Sequence, residues 1–66
     1  MQQRRVYEVE FFKKETDERG RVQINWCGTV EVTMYPSDTL TVAAKAFRHA
    51  PARCQNAHKI RTRRVA

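Results

Sequence analysis

Along residues 6–12 apolar and polar side chains alternate, with Tyr7, Val9 and Phe11 on one parity and Val6, Glu8 and Glu10 on the other. A period of two marks a half-buried β-strand, because successive side chains of an extended chain point to opposite faces. Residues 13–20 are polar and end in Gly20, which accepts a positive φ without steric cost, so this stretch predicts a hairpin loop. A second apolar run follows: Val22, Ile24, Trp26, Val30, Val32 and Met34 all hold even positions on either side of Gly28.

One straight strand over residues 21–35 spans about 45–50 Å, whereas a compact chain of this length is about 28 Å across. The chain is therefore expected to turn or bend at Cys27 and Gly28. A two-residue hairpin there sets Trp26 opposite Thr29 and throws the two apolar sets onto different faces. A three-residue loop of Cys27, Gly28 and Thr29 sets Trp26 opposite Val30 and keeps the sets together. This favours strands at 21–26 and 30–35, with a single strand bulged or bent at Gly28 as the alternative.

Pro36 ends the sheet, and Ser37 or Asp38 is placed to cap a helix. Its stripe of Leu40, Ala43, Ala44 and Phe47 matches the i, i+3, i+4, i+7 spacing of one helical face, and Pro51 stops it near His49 or Ala50. Residues 59–65 alternate weakly, with Lys59, Arg61, Arg63 and Val65 on one face and Ile60, Thr62 and Arg64 on the other. That pattern fits a last strand or a basic tail. The expected fold is α+β: an antiparallel sheet of three strands, with a fourth if 59–65 joins it, and one helix packed on one face, in the order β-β-β-α with an optional final β. No repeat, low-complexity tract or linker appears, so residues 1–66 read as a single domain.

With 66 residues, 41% apolar and 30% charged, the chain has the composition of a small globular domain. A core this thin does not hold several catalytic groups rigidly, and there is no nucleophile motif or glycine-rich phosphate loop, so a non-enzymatic protein is expected. No run approaches the ~20 apolar residues of a membrane span, and Met1 leads into Gln2, Gln3, Arg4 and Arg5 without an apolar leader. No membrane partner and a cytoplasmic location are the default expectations. Cys27 and Cys54 read as free, small, buried side chains. Together with His49 and His58 they make the count of a structural zinc site, but the cysteines lie far apart where such sites begin with a close pair. No metal or other cofactor is expected.

Charge changes the picture most. Residues 1–38 carry six cations against seven acids, and after Asp38 there is no acid at all. Lys45, Arg48, Arg53, Lys59, Arg61, Arg63 and Arg64 therefore supply the whole formal charge of +6. A locally uniform positive field attracts phosphates or an acidic protein surface, which makes these seven the candidate binding residues. Lys45 and Arg48 face away from Leu40, Ala44 and Phe47, so helix and C-terminal run are placed to build one patch. Tyr7, Phe12, Trp26 and Tyr35 are the aromatic residues available to stack on bases, although Tyr7 and Trp26 hold core parities and are expected inside. No helix-turn-helix, zinc-finger or aromatic sheet signature is present.

The fragments Trp26-Cys27-Gly28-Thr29 and Ala43-Ala44-Lys45-Ala46-Phe47 resemble the last strand turn and the helix of sheet-reading DNA-binding domains of the integrase-arm type. That resemblance implies three antiparallel strands followed by a helix. It covers nine residues, and residues 30–37 separate the fragments where that family has a short link, so no function is carried across it.

The leading functional expectation is a small basic binding module for nucleic acid or a nucleoprotein complex. The alternatives are a small inhibitor or adaptor of the kind bacteriophages and mobile elements encode, such as the anti-CRISPR class, and a structural subunit that forms a homodimer through an exposed sheet edge.

Overall fold

The computed structural model describes residues 3–66. It contains strand β1 (Arg5–Thr16), strand β2 (Val22–Met34), helix α1 (Val42–His49), a single 3₁₀ turn (Ala52–Cys54) and strand β3 (Lys59–Arg64). The three strands form one antiparallel sheet in the order β2-β1-β3. The class is α+β, as the hydrophobic pattern predicts, but the order is β-β-α-β. Residues 22–34 form one strand, so the favoured pair of strands joined by a loop at Cys27, Gly28 and Thr29 does not form.

The physical reason lies in the shape of the molecule, whose extents are 55 × 19 × 14 Å, so its strands need not fit inside a compact body. Instead β1 and β2 make a long hairpin, and its distal half extends beyond the end of β3, which stops at the pair Phe12–Lys59. The hairpin turn is held by Asp17, whose carboxylate accepts the backbone N–H of Arg19 at 2.9 Å and of Arg21 at 2.8 Å. Gly20 sits there at φ +77°, the left-handed conformation expected of it. The Arg21 amide and guanidinium hold the Asp17 carboxyl below its ordinary value.

The core lies between β1, the proximal half of β2, and the helix. Val9, Phe11, Val32, Ala46 and Cys54 are buried, ringed by Val30, Met34, Val42, Phe47, Ala50 and Ile60. Phe47 meets Phe11 edge-on with ring centroids 5.1 Å apart. The helix begins later than its apolar stripe suggests. Thr41 is the cap, its Oγ1 accepting the Ala44 N–H at 3.1 Å, and Leu40 lies ahead of the helix. Asp38 is engaged elsewhere: its carboxylate accepts the Tyr35 N–H at 2.7 Å and the Lys45 ammonium at 3.0 Å, and those contacts hold its pKa down. The helix does end at His49, ahead of Pro51; Phe47 O accepts the Ala50 N–H, and the Gln55 side-chain amide donates to the carbonyls of Phe47 and of the cap residue Ala50.

The C-terminal run is a strand and not a tail. Pairing with β1 continues past both ends of β3, from His58 N–H to Phe12 O at 2.9 Å to Val65 N–H to Val6 O at 2.8 Å. Ile60, Thr62 and Arg64 take the helix side of the sheet, opposite Phe11, Val9 and Tyr7, while Lys59, Arg61 and Arg63 take the reverse side.

Candidate functional site

The register of the long hairpin slips once, between Phe11 and Phe12. Phe11 pairs with Gly28 and Phe12 with Trp26, so Cys27 is an extra residue, a β-bulge. A bulge leaves the numbering parity of the sequence untouched but exchanges the faces of everything beyond it. Val30, Val32 and Met34 pair with the odd-numbered residues of β1 on the helix side; Val22, Ile24 and Trp26 pair with Thr16, Lys14 and Phe12 on the reverse side. The even-numbered apolar run is therefore split between two faces. This overturns the expectation that Trp26 is a core residue: it is 58% exposed, with Val22 at 55% and Ile24 at 45%.

Two small residues make the bulge possible. Cys27 turns toward the core, and its thiol donates to Phe11 O at 3.3 Å. Burial and the neighbouring Cys54 thiol push the pKa of Cys27 up, which keeps the donor protonated. Gly28 is buried directly under Cys54, where a Cβ would come within 2.8 Å of the Cys54 Sγ. Arg53 Nε ties the 3₁₀ turn to the bulge by donating to Cys27 O at 2.9 Å.

The distal hairpin is consequently amphipathic in the sense opposite to the core. Its helix side carries Lys13, Glu15, Gln23 and Asn25, with Asn25 Nδ2 donating to Glu15 at 3.2 Å. Its reverse side carries Phe12, Trp26, Ile24 and Val22, and no element among the described residues covers that side. The Trp26 indole N–H donates to Thr29 Oγ1 at 2.9 Å, which fixes the ring across the bulge on the open face.

Cations border this strip. Lys59 is the β3 neighbour of Phe12, and Lys14 is the β1 neighbour of Ile24. The Arg61 guanidinium lies over the Phe12 ring at 5.9 Å from its centroid, and its Nη2 donates to Glu10 at 2.6 Å. Further along the same face Arg63 pairs with Glu8 at 3.2 Å, next to Glu31. The open face thus has an aromatic and cationic half built on Phe12, Trp26, Lys14 and Lys59, and a charge-paired half built on Glu8, Glu10, Arg61 and Arg63.

The seven cations singled out by charge are not brought together as one patch. Lys59, Arg61 and Arg63 share the open face. Arg64 lies on the helix side of β3, and Arg48 is exposed on the helix. Arg53 is at the bulge, and Lys45 turns inward, its ammonium donating to Thr33 O at 2.6 Å and to Asp38. Neither the place of Lys14 in the site nor the exposure of Trp26 follows from the sequence. The only signal there is the pair of small residues Cys27 and Gly28, which permits a bulge without demanding one. Cys27 and Cys54 are neighbours and both free, and among the described residues no group of three or more His, Cys, Asp or Glu side chains is placed to hold a metal ion. No helix among the described residues is long and apolar enough to cross a membrane. Comparison with protein-family models, curated proteins and solved structures gave no match.

Proposed function

We propose that this chain is a small, non-enzymatic nucleic-acid-binding module that uses the open face of its sheet. The observation that carries the reading is the exposed Trp26 beside Phe12, bordered by Lys14, Lys59 and Arg61 on the face the helix leaves bare. Exposed apolar strips on small proteins mark contact surfaces, and cations at the margin of this one select an anionic partner. Lys14 and Lys59 form no ion pair among the described residues, so their charge is available to phosphates. The remaining excess of Lys and Arg, including Arg48, Arg53 and Arg64 on other faces, adds an attractive long-range field.

The test is a variant carrying Lys14→Gln, Lys59→Gln and Arg61→Gln, titrated with labelled DNA and RNA from low to physiological salt. Affinity is expected to fall by more than tenfold, and the slope of log affinity against log salt to flatten by about 0.7–0.9 for each phosphate no longer neutralised. All three side chains are at the surface, so folding is expected to change little. Equal affinity and equal slope in a folded variant would contradict the reading.

A second reading, a protein partner or a second copy of the chain, is favoured by one specific feature. β2 is an edge strand over all 13 of its residues, and such an edge is a template for strand addition. Concentration-dependent sedimentation of the protein alone is the observation that would support it.

A further inference from the structure

On the basis of the nucleic-acid reading, we infer that the ligand is single-stranded, with unpaired bases stacking on Trp26 and on the Arg61–Phe12 pair while Lys14 and Lys59 hold the flanking phosphates. The inference rests on which parts of the strip are open. In a duplex each base is already stacked on its neighbours, and a protein ring on a flat sheet face has no base plane to meet. An unpaired strand offers that plane at every nucleotide, whatever its sequence.

Trp26 is 58% exposed on a face without a covering element among the described residues, and its indole N–H is already satisfied by Thr29 Oγ1. The polar edge of the ring therefore needs no ligand, which leaves its exposed carbon surface for apolar or stacking contact. Phe12 is the direct cross-strand neighbour of Trp26, which sets their Cβ atoms about 5 Å apart. Phe12 is half-buried and carries the Arg61 guanidinium over its ring, so the outermost group at that position is a guanidinium, a group that itself stacks on bases. Cross-strand spacing thus sets two stacking groups side by side. Lys14 and Lys59 flank them, one further along β1 and the other on β3, where a backbone crossing the sheet would pass. Val22 and Ile24 extend the apolar floor toward the hairpin tip; from Phe12 to that tip the paired strands carry no acid on this face, and Glu10, on the other side of Phe12, holds Arg61.

The chain contains one tryptophan, so its tryptophan fluorescence reports on Trp26 alone. The experiment titrates the protein with an oligodeoxythymidine of about 12 nucleotides, an oligouridine of equal length and a duplex of equal length, each at low and at physiological salt. Saturable quenching by the single strands is expected, with affinity at least tenfold above that for the duplex. The Trp26 variants have no tryptophan, so their binding is read from the fluorescence anisotropy of a dye-labelled oligonucleotide, measured in parallel for the parent: Trp26→Ala is expected to weaken single-strand binding roughly tenfold or more, and Trp26→Phe to restore most of it, because a phenyl ring still stacks. Since Trp26 is exposed, both variants should melt within a few degrees of the parent. Duplex binding as tight as single-strand binding, or an unchanged affinity in Trp26→Ala, overturns the single-strand inference and leaves the nucleic-acid reading standing. Binding to none of the three oligonucleotides overturns both; if the protein then also sediments as a dimer that Trp26→Ala disperses, the strip is the contact between two copies.

Discussion

Phe11→Ala is expected to unfold most of the protein at room temperature. Phe11 is fully buried on the central strand, and its ring is the one that Phe47 of the helix meets edge-on at 5.1 Å. Truncating a buried phenylalanine typically costs about 3–5 kcal/mol, and the aromatic pair with Phe47 is part of that cost. The core of a chain this short rarely supplies more than about 3–5 kcal/mol of net stability, so the substitution removes most of it. Circular dichroism and urea denaturation read the outcome. A cooperative transition close to that of the parent would show that the helix is not held to the sheet through this ring.

The second large effect is expected at the bulge. Gly28→Ala places a Cβ 2.8 Å from the Cys54 Sγ, closer than real Cβ contacts, and Cys54 is itself wholly buried. The sulfur has little room to retreat, because the Cys54 N–H is tied to Pro51 O at 2.8 Å and the adjacent Arg53 is tied to Cys27 O. Overpacking of this kind costs about 1–3 kcal/mol. Removing the sulfur should relieve it. In a thermodynamic cycle with Cys54→Ala, the double variant is expected to be destabilised by at least about 0.5 kcal/mol less than the sum of the two single variants, roughly the smallest coupling such cycles resolve. Strict additivity would place the strain elsewhere.

The parts of this fold legible in the sequence are those set by local chemistry. The alternation of residues 6–12, the left-handed glycine at the hairpin, the helix stop at Pro51 and the two faces of residues 59–65 all follow from side-chain period and backbone restriction, and the structure has each of them. The parts that were not legible depend on partners distant in the chain. A bulge at Cys27 costs the sequence no visible break in period, yet it exchanges the faces of Val22, Ile24 and Trp26 with respect to Val30, Val32 and Met34. Whether Asp38 caps a helix or closes a turn depends on where Lys45 comes to lie.

The candidate site divides in the same way. The C-terminal cations are visible as a charge imbalance, but pairing of Arg61 with Glu10 and of Arg63 with Glu8 joins residues at opposite ends of the chain. It leaves Lys59 with free charge on the open face, beside an aromatic strip whose exposure the period of two disguised. Charge alone selects seven residues. Register, which no local pattern reveals, sorts them by face.

The most direct test of the open-face account is an amide and indole NMR titration of the labelled protein with the single-stranded 12-nucleotide oligomer. The largest shifts are expected at the Trp26 indole N–H and at the amides of Phe12, Lys14, Ile24, Lys59 and Arg61, with Arg48 and the rest of the helix left near their free positions. Shifts concentrated on the helix and the 3₁₀ turn, with the Trp26 indole unmoved, would contradict it.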